Sequence, residues 1–275
     1  MIQTIVALFG LIFGSFLNVC ILRVPGGESI VTPGSHCPAC GRSIRWYDNV
    51  PVLSYLLLRG RCRDCGTRIS PLYPLVEVLT AVVFLLEYWR YGLSVEFVKG
   101  LVFAMLMIVL IFTDLRQRRI PHKITLTGIA LGVAFSFFVI VDSRPASWLL
   151  AQWHVLPSGF VLSLIGATGG ALIGGGLFFV VGEIFYHLRH KEGLGFGDVM
   201  LMLVIGTLLG PPLTLMTILL GSLLGSLIAI PLTAINSKFR NYQWPYGSFL
   251  GIVAIYASIG GDALLRAYLQ WGGFR

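Results

Sequence analysis

Long apolar windows separated by short polar intervals run the whole length of the chain. The windows fall at about 2 to 22, 72 to 89, 98 to 113, 124 to 141, 158 to 181, 199 to 211, 213 to 235 and 247 to 264. A bilayer is crossed by a helix of about 20 apolar residues, and windows of that length recur more often than one soluble core requires. The pattern predicts an all-α polytopic membrane protein with about eight transmembrane helices. The sixth window is short enough to be tilted, broken or lodged against other helices.

Composition strengthens this reading: 56% of residues are hydrophobic, 12% are charged, and the mean hydropathy is +0.84. A net charge of +8 raises the question of nucleic acid. The basic residues, however, are dispersed among the short intervals, where membrane topology accounts for them, and no nucleic-acid-binding module is visible. With both termini outside, residues 23–71, 114–123, 187–197 and 236–246 face the cytosol and carry 15 of the 20 Lys and Arg residues. That is the arrangement the positive-inside rule requires. The first 22 residues contain no Lys or Arg and no small-residue cleavage site follows them, so the first window is expected to stay as a helix. The expected organisation is a first transmembrane helix over 1–22, a cytosolic insertion over 23–71, and a membrane core over 72–275 with about seven further helices. Gly166, Gly169, Gly170, Gly174, Gly175 and Gly176 give the fifth window a low-bulk surface suited to close helix packing.

The insertion reads CPACGRSIRWYDNVPVLSYLLLRGRCRDCG. Cys37 and Cys40 form one pair, Cys62 and Cys65 the other, each with the two-residue gap that aims both sulfurs at one metal. Zinc is the first choice, and four thiolates leave no open position for water, so the ion folds the loop. Two disulfides or redox pairs are the alternative, which a reducing cytosol disfavours. Gly41 and Gly66 follow the second cysteine of each pair and relieve crowding there. Cys20 reads as a buried small side chain, and His36 as a neighbour of the site rather than a ligand.

Two aspartates fall at one predicted membrane face. Asp114 ends the third window in IFTDLRQRRIPHK, and Asp198 opens the sixth in GLGFGDVM. Brought together by helix packing, they would form an acid/base pair in which one carboxylate takes a proton from water and the other donates one. Gly193, Gly195 and Gly197 leave room beside Asp198 for an extended peptide. Asp198 capping its own helix, and Asp114 pairing with Arg116, Arg118 or Arg119, are structural alternatives that the sequence leaves open. Glu77, Glu87 and Glu183 suit interhelical contacts, a substrate amine or a proton path. Glu192 reads as a solvated salt-bridge partner, and Asp48 and Asp64 as turn residues.

Taken in order, GSFLNVCILRVP at 14–25, CPAC and CRDC flanking WYDNVPVLSYLLLRG, YPLVEVLT at 73–80, TDLRQRRIP at 113–121 and GFGD at 195–198 resemble the bacterial type IV prepilin leader peptidase/N-methyltransferase family, including its type II secretion members. The resemblance covers nearly the whole chain. It implies that Asp114 and Asp198 are the catalytic pair of a GxGD-type intramembrane aspartyl peptidase in the bacterial inner membrane. It further implies removal of a short basic leader from prepilins or pseudopilins on the cytosolic side, then methylation of the new amino terminus from S-adenosylmethionine. Arg23 and Glu77 lie in family motifs and are the candidates for the methyl-donor site. The intact cysteine module favours the dual-function members. Met200 stands where many of the family have lysine, a departure that bears on aspartate tuning or substrate contact. A proton-coupled transporter and a zinc-containing membrane scaffold are the competing classes. The first would place acids at mid-depth in an internal repeat, and the second would tolerate loss of both aspartates.

Overall fold

The structure is a computed structural model that describes residues 1–143, 158–190, 195–236, 239 and 242–272. Among these the regular elements are all helical: α1 (Ile2–Arg23), α2 (Leu53–Leu57), α3 (Leu72–Tyr91), α4 (Val95–Gln117), α5 (His122–Phe135), α6 (Gly159–Arg189), α7 (Phe196–Leu209), α8 (Pro211–Ile235) and α9 (Tyr246–Trp271). The chain forms two compact units, Met1–Val109 and Leu110–Arg275, with the boundary inside α4.

In the first unit α1 packs along α3. Their backbones approach closely because α1 carries glycine at the contact: a Cβ on Gly14 would fall 2.6 Å from the Cα of Glu77. Val6, Phe84 and Phe97 form the buried core, with Phe13 and Tyr88 packed against it. The insertion contributes a 3-10 turn at Trp46–Asn49 and the short α2.

In the second unit α7 is the central element, in contact with α5, α6, α8 and α9. Ten of its 14 residues are buried, with Leu201, Met202, Ile205 and Leu208 fully so. Its most extensive partner is α6, and Gly170 of α6 faces Gly206 of α7 so closely that a Cβ on either would overlap the other's backbone. This is the close packing expected of the fifth window.

Among the described residues six helices, not eight, are long and apolar enough to cross a membrane: α1, α3, α4, α6, α8 and α9. The fourth and sixth windows form α5 and α7, of 14 residues each. At 1.5 Å per residue such a helix spans about 21 Å, short of the roughly 30 Å hydrocarbon core. The fourth window breaks at Ser136, and a turn follows over residues 136–139. The irregular stretch after it is pinned to α6, where Ser163 Oγ donates to Val139 O at 2.8 Å and accepts from Val141 N at 2.9 Å. The sixth window is the one lodged among neighbours: α7 packs against four other helices, and an apolar helix so enclosed need not reach both interfaces.

Candidate active site and metal centre

Three helix ends of the second unit converge. Asp114 lies in the last turn of α4 and is 6% exposed, Asp198 is the third residue of α7, and Gly247 and Ser248 open α9. Two donors hold one oxygen of Asp114: Ser248 N–H and Ser248 Oγ each donate to Oδ2 at 2.8 Å. The same Oγ is 3.1 Å from the carbonyl of Ile111. A proton on the Asp114 carboxyl is therefore directed to Oδ1, away from Ser248.

Gly247 sits between the two carboxylates. A Cβ there would lie 3.2 Å from Asp114 Oδ2, 3.2 Å from Asp198 Oδ1 and 3.0 Å from Ile120 Cδ1. The two oxygens are thus separated by no more than twice the first of these distances. Ile120 also closes on Gly197, whose Cβ would stand 3.0 Å from that of Ile120. Proximity of this order lets two carboxyls share a proton and act on one water as base and acid.

The N-cap of α7 is Gly195, without a side-chain cap bond, and the Asp198 carboxylate in the first turn is directed back toward the Gly195 backbone N–H, so the helix-start role is present beside the pairing with Asp114. Among the described residues no ion pair joins Asp114 to an arginine, and the Arg118 guanidinium lies 4.4 Å from the ring centre of Tyr242. Gly193 and Glu192 lie outside the described residues. The sequence reading missed Gly247, Ser248 and Ile120. The available signal was PYGS at 245–248, where proline, glycine and serine mark a helix start that brings backbone close to something.

The insertion holds a second constellation. Both cysteine pairs lie on the same backbone frame. In the first, Cys37 N donates to Arg42 O at 2.9 Å and Gly41 N to Cys37 O at 2.8 Å. In the second, Cys62 N donates to Thr67 O at 2.9 Å and Gly66 N to Cys62 O at 2.9 Å. Gly41 and Gly66 both have φ of 70°, the left-handed conformation that a side chain resists. The four sulfurs all lie within 4.8 Å of one another, and Cys37 Sγ is 3.8 Å from Cys65 Sγ. A tetrahedron with zinc–sulfur bonds of about 2.3 Å has edges of about 3.8 Å, so the donor set fits that ion.

The thiols are also in electrostatic conflict. Hydrogen bonding to the Thr67 hydroxyl, 3.4 Å away, is the main cause that holds the Cys65 thiol down at about 6. The Arg42 backbone N–H lowers that of Cys40, but burial and the Cys37 and Cys65 sulfurs outweigh it and push the thiol up to about 11. A divalent cation removes the conflict by favouring thiolate at every position. All five cysteines are unbonded, with Cys20 buried in α1.

Acidic turn residues tie the two knuckles together. Asp48 takes a bidentate contact from Arg63, with Nε to Oδ2 at 2.8 Å and Nη2 to Oδ1 at 2.6 Å, while Asp64 pairs with Arg42 at 3.4 Å. Arg23 donates to three loop carbonyls, Ser29 at 3.1 Å, Pro33 at 2.7 Å and Gly34 at 3.2 Å. The buried Glu77 accepts from Val52 N–H at 2.8 Å. Both residues are thus engaged with backbone, and a methyl donor could use them only after they leave these partners. His36 Nδ1 is 3.1 Å from Gly34 O, and Glu183 pairs with His187 at 3.1 Å.

Residues 8–91 match the bacterial peptidase A24 N-terminal domain, and residues 101–230 match the type IV leader peptidase family. A prepilin leader peptidase/N-methyltransferase of Pseudomonas putida is 32% identical, over 98% of this chain and 95% of its own. Enzymes of the same description are 33% identical in Neisseria gonorrhoeae, over 96% and 93%, and 30% identical in Bacillus subtilis, over 97% and 98%. No solved structure matches the chain.

Proposed function

The chain belongs to the type IV leader peptidase family, and from that premise we propose that Asp114 and Asp198 hydrolyse the peptide bond behind the short basic leader of prepilins or pseudopilins. The convergence of both carboxylates on Gly247 carries this reading, since it gives the pair one shared space in which to hold a water and a peptide carbonyl. Ser248 fixes Oδ2 of Asp114 with two hydrogen bonds and leaves Oδ1 free of that grip. One carboxylate takes a proton from water as it attacks the carbonyl, and the other protonates the departing amine. The enzyme is a polytopic inner-membrane protein, with the dyad and the insertion toward the cytosol and both termini outside. The insertion carries one structural zinc on Cys37, Cys40, Cys62 and Cys65. After cleavage the new amino terminus is methylated from S-adenosylmethionine, which supplies an activated methyl group when bound. The insertion and the adjoining ends of α1 and α3, with Arg23 and Glu77, are the region we assign to that step.

A cleavage assay with a reconstituted prepilin tests the dyad. Asp114→Asn and Asp198→Asn preserve size and remove proton transfer, so each is expected to lose at least about 100-fold in rate. Near-normal cleavage by either folded variant would return its aspartate to a structural role and leave the transporter and scaffold readings standing.

A further inference from the structure

The bond between Glu77 and Val52 fixes part of the insertion at an unexpected height. Glu77 is the sixth residue of the spanning helix α3 (Leu72–Tyr91), five residues inward from its start, or about 7.5 Å along the axis. Its carboxylate accepts from Val52 N–H at 2.8 Å, so the residue just before α2 is held at that depth. Val52 itself has φ of 60°, a conformation that a β-branched residue adopts only when its surroundings enforce it. Beyond it, α2 leaves Leu53, Leu56 and Leu57 exposed at 53%, 65% and 73%. Residues three and four apart share one face of a helix, so these leucines form a single apolar stripe.

We propose that residues 50–58 are a re-entrant element that rests in the lipid interface, with the Leu53, Leu56 and Leu57 stripe against acyl chains and with anionic headgroups drawn to the arginines that follow. Interfacial helices bury their apolar face about 5–10 Å into the headgroup and acyl boundary, a range that includes the distance of Glu77 from the start of the spanning helix α3. Backbone at such depth must satisfy its own polar groups. This segment does: Ser54 Oγ donates to Tyr47 O at 2.9 Å and accepts from Val50 N at 3.0 Å, while Leu53 N and Ser54 N donate to Pro51 O and Val50 O at 2.6 and 3.1 Å. Arg59, Arg61 and Arg68 are exposed, and none has an acidic partner among the described residues. Unneutralised guanidinium groups beside a lipid surface select phosphates of negative lipids.

The test is a diazirine-bearing leucine analogue placed at Leu57 in the full chain, in nanodiscs of phosphatidylcholine and phosphatidylglycerol, with adducts identified by mass spectrometry. The near-isosteric probe keeps the fold, and retained zinc checks it. The same probe at Ile44, in the first knuckle, is the control. Lipid adducts are expected at Leu57 and not at Ile44, with phosphatidylglycerol enriched about fivefold over its mole fraction. Replacing Arg59, Arg61 and Arg68 by Gln should abolish that enrichment and keep the lipid adduct. Adducts mainly with water, with a second copy of the chain or with prepilin would overturn the proposal. Enrichment that survives loss of the arginines would overturn its electrostatic half.

Discussion

Gly247→Ala is the smallest change that reaches both carboxylates of the proposed dyad at once. The added carbon would stand 3.2 Å from an oxygen of each aspartate and 3.0 Å from Ile120 Cδ1. These contacts are a few tenths of an ångström tighter than ordinary van der Waals packing, so something must move. Asp114 has little freedom to do so, because Ser248, the very next residue, grips its Oδ2 with two bonds of 2.8 Å. The displacement therefore falls on Asp198 or widens the space between the pair. Misplacement of reacting groups by 1 Å costs about 100-fold, and a shift of a few tenths is expected to cost about tenfold in kcat/KM, or about 1.4 kcal/mol. Leader cleavage followed by mass spectrometry in detergent gives the rate. Gly176→Ala, whose Cβ meets nothing within 4 Å, is the control and should leave cleavage unchanged. Methyl transfer to a pilin supplied already cleaved should persist in the Gly247 variant, which separates a local effect from misfolding. A Gly247→Ala enzyme that cleaves within twofold of the parent would refute the placement of both carboxylates about this residue.

Purified protein should carry one zinc per chain under reducing conditions, and Cys37→Ser with Cys62→Ser should lose it; equal metal content in the two samples would sink the four-cysteine site. Ser248→Ala removes one of the two donors to Asp114, so cleavage should fall several-fold in kcat with KM unchanged, and Ser248→Thr should recover most of it. Glu77→Ala leaves Val52 N–H without its acceptor and should expose residues 50–58 to limited proteolysis, whereas Glu77→Gln retains an acceptor oxygen and should protect them. Methylated product should appear only after leader removal, and robust cleavage without a mass increase at saturating donor would count against the second activity.

Much of this could be read before any coordinates. The cysteine spacing anticipated a joint sulfur cluster, and the glycines after Cys40 and Cys65 do adopt positive φ. The two aspartates lie on either side of Gly247, close together as the membrane face predicted for both of them suggested. Span counting failed where hydropathy cannot distinguish lipid from protein as the apolar solvent: α7 is as apolar as a spanning helix but is enclosed by other helices. Ser248 and Gly247 were missed for a related reason. Serine and glycine at a helix start have an ordinary local explanation, and nothing in the string places them 134 residues from the aspartate they serve. Glu77 was legible as an unusual buried acid, yet its partner is a backbone N–H, which carries no residue type for a sequence to display.

Each knuckle is framed by its own local backbone bonds, and this has a consequence for chain statistics. Each is a preformed half-site, so a metal that joins them does little more than close a ring of chain running from Cys40 to Cys62. Closing a loop of some 15 residues restricts the unfolded ensemble by about 3 kcal/mol, and a ring of this size by slightly more. Val52 lies near the middle of that ring and is tethered independently to α3. The ring is thereby pinched into two smaller lobes. Loss of the ion would loosen both lobes at their outer ends and leave the pinch in place, so release and recapture of metal amount to the opening and closing of a tethered clasp.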